Sequence, residues 1–177
     1  ELMGCPGGRV IFYTASGTAA MHATVACYVS TRKKALAIAG GSFGHRWHSL
    51  CKYYHIPCDV FEVPFAKDID YEALEKMMQT SQPDVLLCQH HETSSGELFN
   101  IDEISRLCKK YNITLVVDAI SSFLADSYNM SRSGVDMTII SSQKGLNIPP
   151  GLSFIILSSK ISEQEFKHLN FYLDFEE

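Results

Sequence analysis

The chain has 177 residues, 46% of them hydrophobic and 20% charged, enough material for one domain with a real core. The formal net charge of -5 is spread without a basic block, which speaks against nucleic-acid or anionic-membrane partners; Arg32-Lys33-Lys34 reads as an ordinary turn. No apolar run approaches a membrane span, and the first residues lack a basic-then-apolar leader pattern. The six cysteines are scattered with no Cys-x-x-Cys pair, and Cys27, Cys88 and Cys108 fall in apolar stretches as small core residues. A reducing cytoplasm is the default compartment, with an organelle as the alternative.

Short apolar runs alternate with helical patterns. A strand is expected at 10–13, then a helix over 18–29, a strand at 35–38 and a helix over 44–54. A third strand at 59–63 precedes a helix over 71–78, for which Asp70 is the cap. A fourth strand at 84–88 is followed by a helix over 101–110. Asn100 caps that helix, with Glu103 placed as in a capping box, and Ile101, Ile104, Leu107, Cys108 and Tyr111 form its apolar face. Strands at 114–117, 137–140 and 153–157 complete the set, and 163–169 is expected to be helical.

This alternation predicts an α/β fold with three layers, α/β/α, around a seven-stranded sheet. Near-continuous apolar runs suit parallel strands buried on both faces. The loop between the last two strands has no room for a crossover helix, so that pair is expected to be antiparallel. No internal repeat, low-complexity tract or interdomain linker is visible.

In such a sheet ligands bind beyond the carboxyl ends of the parallel strands. Ser16-Gly17-Thr18 follows the first strand and opens a helix, either as a plain N-cap or as an anion cup of backbone N–H groups. His91-Glu92-Thr93-Ser94-Ser95-Gly96 follows the fourth strand. Adjacent histidines on an extended segment point to opposite faces, and no matching distant Cys/His set accompanies them, so no metal site is expected. Asp118 ends the fifth strand, as a structural salt-bridge partner or as a counter-charge for a ligand cation. Lys144 follows the sixth strand in a Gly/Pro-rich loop, Ser142-Gln143-Lys144-Gly145-Leu146-Asn147-Ile148-Pro149-Pro150-Gly151. It is either a solvated surface charge or an amine able to attack a carbonyl. An anion cup, a carboxylate and a lysine around one crevice match the phosphate, pyridine nitrogen and aldehyde of pyridoxal 5'-phosphate.

Five ordered segments now resemble the class V aminotransferases, over about 13–157. They are Thr14-Ala15-Ser16-Gly17-Thr18-Ala19-Ala20-Met21, Gly41-Ser42-Phe43-Gly44-His45-Arg46, His91 through Gly96, Val117-Asp118-Ala119-Ile120-Ser121-Ser122-Phe123, and Ser142 through Gly151. By that resemblance Ser16, Gly17 and Thr18 form the phosphate cup. Phe43 stacks on the cofactor ring, with Ile120 on the other face. Thr93 contacts the phenolic oxygen, Asp118 partners the pyridine nitrogen, Gln143 contacts the phosphate, and Lys144 forms the aldimine. Lys144 and Asp118 are the catalytic pair. Arg46 matches a structural position beside the stacking aromatic.

The resemblance implies a transaminase that moves an amino group to pyruvate, glyoxylate or another 2-oxo acid. His90 through Thr93 and Asp118 through Phe123 look most like 2-aminoethylphosphonate–pyruvate transaminases. Ser142 through Gly151 looks more like alanine–glyoxylate or serine–glyoxylate transaminases. Cysteine desulfurases fit less well, because Gln143 stands where they carry a histidine. The family is roughly twice this long. Residues 1–160 therefore correspond to its large domain, and 161–177 to the start of a connection toward a small C-terminal domain. The arginine that binds the substrate carboxylate, and the residues exchanged across a homodimer, belong to family segments outside this chain. A non-catalytic domain that keeps the fold, with or without the cofactor, is the alternative of another class.

Overall fold

The computed structural model describes residues 2–164 and 166–176. Seven strands form one sheet: β1 (Arg9–Tyr13), β2 (Ala35–Ala39), β3 (Cys58–Glu62), β4 (Val85–Gln89), β7 (Thr114–Asp118), β8 (Met137–Ser141) and β9 (Ser153–Leu157). Between β4 and β7 lies a two-stranded hairpin, β5 (His91–Glu92) and β6 (Glu97–Leu98), where the sequence indicated only a polar turn. The main sheet runs in the order β1-β9-β8-β7-β4-β2-β3. β9 pairs antiparallel with both neighbours, β1 and β8, and the remaining pairings are parallel. The architecture is thus the expected α/β one: a mostly parallel sheet with one antiparallel strand.

The period of two along each strand sends alternate residues to opposite faces. Ala35, Ala37, Val85, Leu87, Val116, Met137 and Ile139 face one core, under helices α1 (Gly17–Cys27) and α2 (Ser42–Tyr53). Leu36, Ile38, Leu86, Cys88, Leu115 and Val117 face the other, under α3 (Tyr71–Ser81) and α4 (Ile101–Tyr111). Because both faces are covered, β2 and β4 carry apolar residues at nearly every position, and all five residues of β2 are buried. Small residues let α1 and α2 come close. A Cβ at Gly44 would lie 2.6 Å from Ala39 Cα and 2.7 Å from the Ile38 carbonyl oxygen, both backbone atoms.

The helix boundaries follow from their caps. Asp70 Oδ1 accepts the Ala73 N–H at 3.0 Å, and Asn100 Oδ1 accepts those of Asp102 and Glu103. Glu103 does not reach back to close a capping box; it pairs with Arg106 at 2.9 Å. α3 and α4 both end at left-handed residues, Gln82 and Asn112. A short helix α5 (Met130–Ser133) precedes β8 and was not anticipated.

The helix expected over 163–169 is not formed by the described residues there. A short helix, α6 (Ser159–Ser162), comes earlier instead. The reason is tertiary. Phe166 turns inward against Tyr28 and Phe175, with ring centroids 6.2 Å and 4.9 Å away, and the Lys167 N–H donates to the Cys27 carbonyl at 2.9 Å. The segment then runs back over β1, where the Tyr13 hydroxyl donates to the Leu173 carbonyl at 2.9 Å.

The contact between α2 and β2 gives a direct test. Gly44→Ala forces helix and strand apart and should lower stability by about 1–3 kcal/mol, read as a shifted denaturant midpoint at unchanged slope.

Candidate active site

Five chain segments meet at the carboxyl edge of the sheet and enclose one cleft of about 200 Å³. Ser16, Gly17, Thr18, Phe43, Thr93, Asp118, Ile120, Gln143 and Lys144 all line it. Met21, Arg46, His91, Ser121 and Ser141 complete the wall. The nine residues singled out from sequence therefore share one cleft, although the first and last are separated by most of the chain.

The anion cup is set by the β1–α1 junction. Ser16 is the N-cap in extended backbone, but its hydroxyl makes no capping hydrogen bond, which removes the plain N-cap as its explanation. Gly17 and Thr18 head α1, where no carbonyl lies one turn back to take their N–H groups. No acidic side chain occupies that first turn. Gly17 leaves room for Ile120: a Cβ there would lie 2.3 Å from Ile120 Cδ1, and the isoleucine would have to shift. Arg46 Nη1 donates to Thr18 Oγ1 at 2.6 Å, and its guanidinium lies 4.6 Å from the Phe43 ring centroid. Arg46 thus brings positive charge to the cup while stacking on the aromatic. Phe43 belongs to neither apolar core and presents part of its ring to the cleft.

Asp118 sits at the end of β7 and is 5% exposed. Among the described residues its carboxylate accepts one hydrogen bond, from the Ile120 N–H at 2.9 Å. Burial pushes its pKa up from 3.8 to about 6; the Ile120 hydrogen bond opposes this, Glu92 adds to it, and Arg46 and Lys144 pull it down. A buried carboxylate with so few donors invites a cation from the cleft. Thr93 and Ser121 share a hydrogen bond of 2.5 Å across the cleft wall.

Lys144 stands exposed at the rim, on a loop held by its own backbone. Ser142 organises this loop: its hydroxyl donates to the Pro149 carbonyl at 2.8 Å and accepts the Leu152 N–H at 3.2 Å. The Asn147 N–H returns to the Lys144 carbonyl at 2.8 Å. Gly145 passes so near the Phe123 carbonyl that a Cβ would be 1.8 Å from its oxygen.

The residues present fit pyridoxal phosphate on observations independent of resemblance. The Ser141 hydroxyl is buried on the cleft wall, beside Gly17, and has no hydrogen-bond partner among the described residues. With the two helix-end N–H groups it forms a donor set without an acceptor, as a phosphate requires. The aromatic face, the buried carboxylate and the rim amine suit the ring, its nitrogen and its aldehyde.

Sequence reasoning did not single out His91, Ser121 or Ser141. His91 and Thr93 both line the cleft, while Glu92, between them at the end of β5, turns away from it. His90 turns inward against Tyr128, with ring centroids 5.2 Å apart.

The aminotransferase class-V family profile matches residues 1–171. The L-aspartate–glyoxylate aminotransferase of Paracoccus denitrificans is 28% identical over 160 residues, covering 88% of this chain and 40% of that protein. A bifunctional phosphonoacetaldehyde hydrolase/aminoethylphosphonate transaminase of Clostridioides difficile is 30% identical over 146 residues, covering 82% and 23% respectively. The crystal structure of an alanine–glyoxylate aminotransferase from Nostoc superposes with a TM-score of 0.89 at 28% identity, covering 99% of this chain and 48% of that one. The chain thus spans less than half the length of each of these relatives.

Asp118 carries a pH signature. Its folded pKa lies above the ordinary carboxyl value, so ionising it costs stability. That cost is absent below 3.8, grows as pH rises to about 6, and is constant beyond. Cofactor-free Asp118→Asn should therefore be more stable than the parent near neutral pH, by up to about 3 kcal/mol. The difference should disappear as pH falls through that window. Denaturant titrations across pH would show it, and a pH-independent difference would contradict the burial argument.

Proposed function

We propose that this chain, which belongs to the aminotransferase class-V family, is the cofactor-binding large domain of a pyridoxal-phosphate-dependent transaminase. Residues 1–160 form that domain, and 161–177 lead toward a small C-terminal domain. The observation that carries the reading is the convergence of the cup, Phe43, Asp118 and Lys144 on one cleft.

When bound, pyridoxal phosphate supplies an aldehyde that combines with amines and a ring that takes up the electrons of a broken Cα–H bond. The work of the chain is to bind, orient and move protons. The N–H groups of Gly17 and Thr18, with the hydroxyls of Ser16, Thr18 and Ser141 and the Gln143 side chain, would hold the phosphate. Phe43 and Ile120 would hold the ring, and Thr93 would meet the phenolic oxygen. The Asp118 carboxylate would keep a proton on the ring nitrogen, a charge match that would offset its own desolvation. Lys144 Nζ is the amine that would hold the aldehyde and, when free, would accept and return a proton.

The amino donor is a small acidic amine and the acceptor a short 2-oxo acid such as pyruvate or glyoxylate. Two segments, His90 through Thr93 and Asp118 through Phe123, favour 2-aminoethylphosphonate as donor. The Lys144 loop favours alanine or serine with glyoxylate. The names of the relatives divide in the same way. A non-catalytic domain is the weaker reading, because it gives no reason for an unpartnered Ser141 hydroxyl, a buried Asp118 and a rim lysine to share one cleft.

In the full-length protein, Lys144→Ala should lower transamination of 2-aminoethylphosphonate, alanine and serine alike, by roughly 100- to 10,000-fold. Steady-state assays with pyruvate and with glyoxylate would measure this and rank the donors. Turnover within a few-fold of the parent would remove Lys144 from the chemistry.

A further inference from the structure

Glu92 is fully buried between the hairpin and the head of α2. Four donors converge on its carboxylate. Gly44 N–H donates to Oε2 at 2.9 Å, and Oε1 accepts from the Ser94 hydroxyl at 2.6 Å, the Ser94 N–H at 3.1 Å and the Phe43 N–H at 3.4 Å. The N-cap of α2 is Gly41, which has no side chain to offer, and the first turn of the helix holds no acidic residue. Glu92 therefore does from another segment what an N-cap side chain does locally, and its charge lies at the positive end of the helix dipole. The chain makes room for it: a Cβ at Gly41 would lie 2.9 Å from Glu92 Cγ and 2.2 Å from Ser94 Oγ.

We infer that Glu92 is a positioning residue of the cleft: one buried carboxylate fixes the backbone of Phe43 and supplies the negative charge behind Asp118. The inference rests on the transaminase reading, in which Phe43 meets the cofactor ring and Asp118 its nitrogen. It adds that the two are set together by a side chain that lies outside the cleft wall. Phe43 is the second residue of α2, so its ring direction follows the capping of that turn. Glu92 also belongs to the segment that leaves β4 beside the end of β7, where the His90 N–H donates to the Asp118 carbonyl at 2.9 Å, and from there its charge raises the affinity of Asp118 for a proton. An amide cannot replace the carboxylate: with its oxygen toward Ser94 and Phe43, its NH₂ would face the Gly44 N–H, donor against donor.

Glu92→Gln and Ser94→Ala separate these effects. Both should weaken pyridoxal phosphate binding by the full-length protein, Glu92→Gln by about tenfold or more and Ser94→Ala by less. In cofactor-free protein, followed by the carboxyl carbon resonance of Asp118, Glu92→Gln should lower the titration midpoint. Ser94→Ala, which keeps the charge, should not lower it. An unchanged midpoint in Glu92→Gln, or an equal fall in Ser94→Ala, overturns the inference. If Glu92→Gln does not fold, the cofactor affinity of Ser94→Ala decides, and an affinity equal to the parent's overturns it. Parent protein that binds no pyridoxal phosphate overturns the transaminase reading, while the Asp118 titration still decides whether Glu92 sets its charge.

Discussion

A carboxylate buried at the end of a parallel strand is the constraint on which the cleft depends. Among the described residues the Asp118 carboxylate accepts one hydrogen bond; a second carboxylate, Glu92, raises its pKa, and apolar residues lie beneath it in β7. Such a group is costly unless a cation meets it. Around it the chain places the donors of the α1 terminus, the guanidinium of Arg46 and the amine of Lys144. The arrangement gains a coherent charge balance once a ligand brings both an anion for the cup and a cation for Asp118.

The fold supplies this geometry through strand direction. Because β1, β2, β4, β7 and β8 run the same way, the loops that follow them meet at one edge of the sheet. β9 runs back between β1 and β8, so the Lys144 loop is a tight return and not a crossover. That return is fixed by the Ser142 hydroxyl and by Gly145 pressed against the Phe123 carbonyl. The lysine is exposed, but the backbone that carries it is well determined.

Much of this could be read from the sequence, for identifiable reasons. β2, β4, β7, β8 and β9 were legible because strands buried on both faces show uninterrupted apolar runs. The caps at Asp70 and Asn100 were legible because capping is local. What could not be read was set by contacts between distant segments. The stretch 163–169 has helical composition, but Phe166 and Lys167 are claimed by α1 and by Phe175. α2 begins at Ser42, before the expected start at 44, because Glu92 caps it from the hairpin. Ser141 stands just past the strand expected at 137–140; only the structure shows it as the last residue of β8, with its hydroxyl buried on the cleft wall and, among the described residues, without a partner.

The central claim is that Lys144 is the amine that bonds the cofactor. The most direct measurement is borohydride reduction of the purified protein after addition of pyridoxal phosphate, followed by peptide mapping. The account predicts an absorbance band near the visible edge that bleaches on reduction, with the label on the peptide containing Lys144. A label on any other lysine, with Lys144 unmodified, would contradict it.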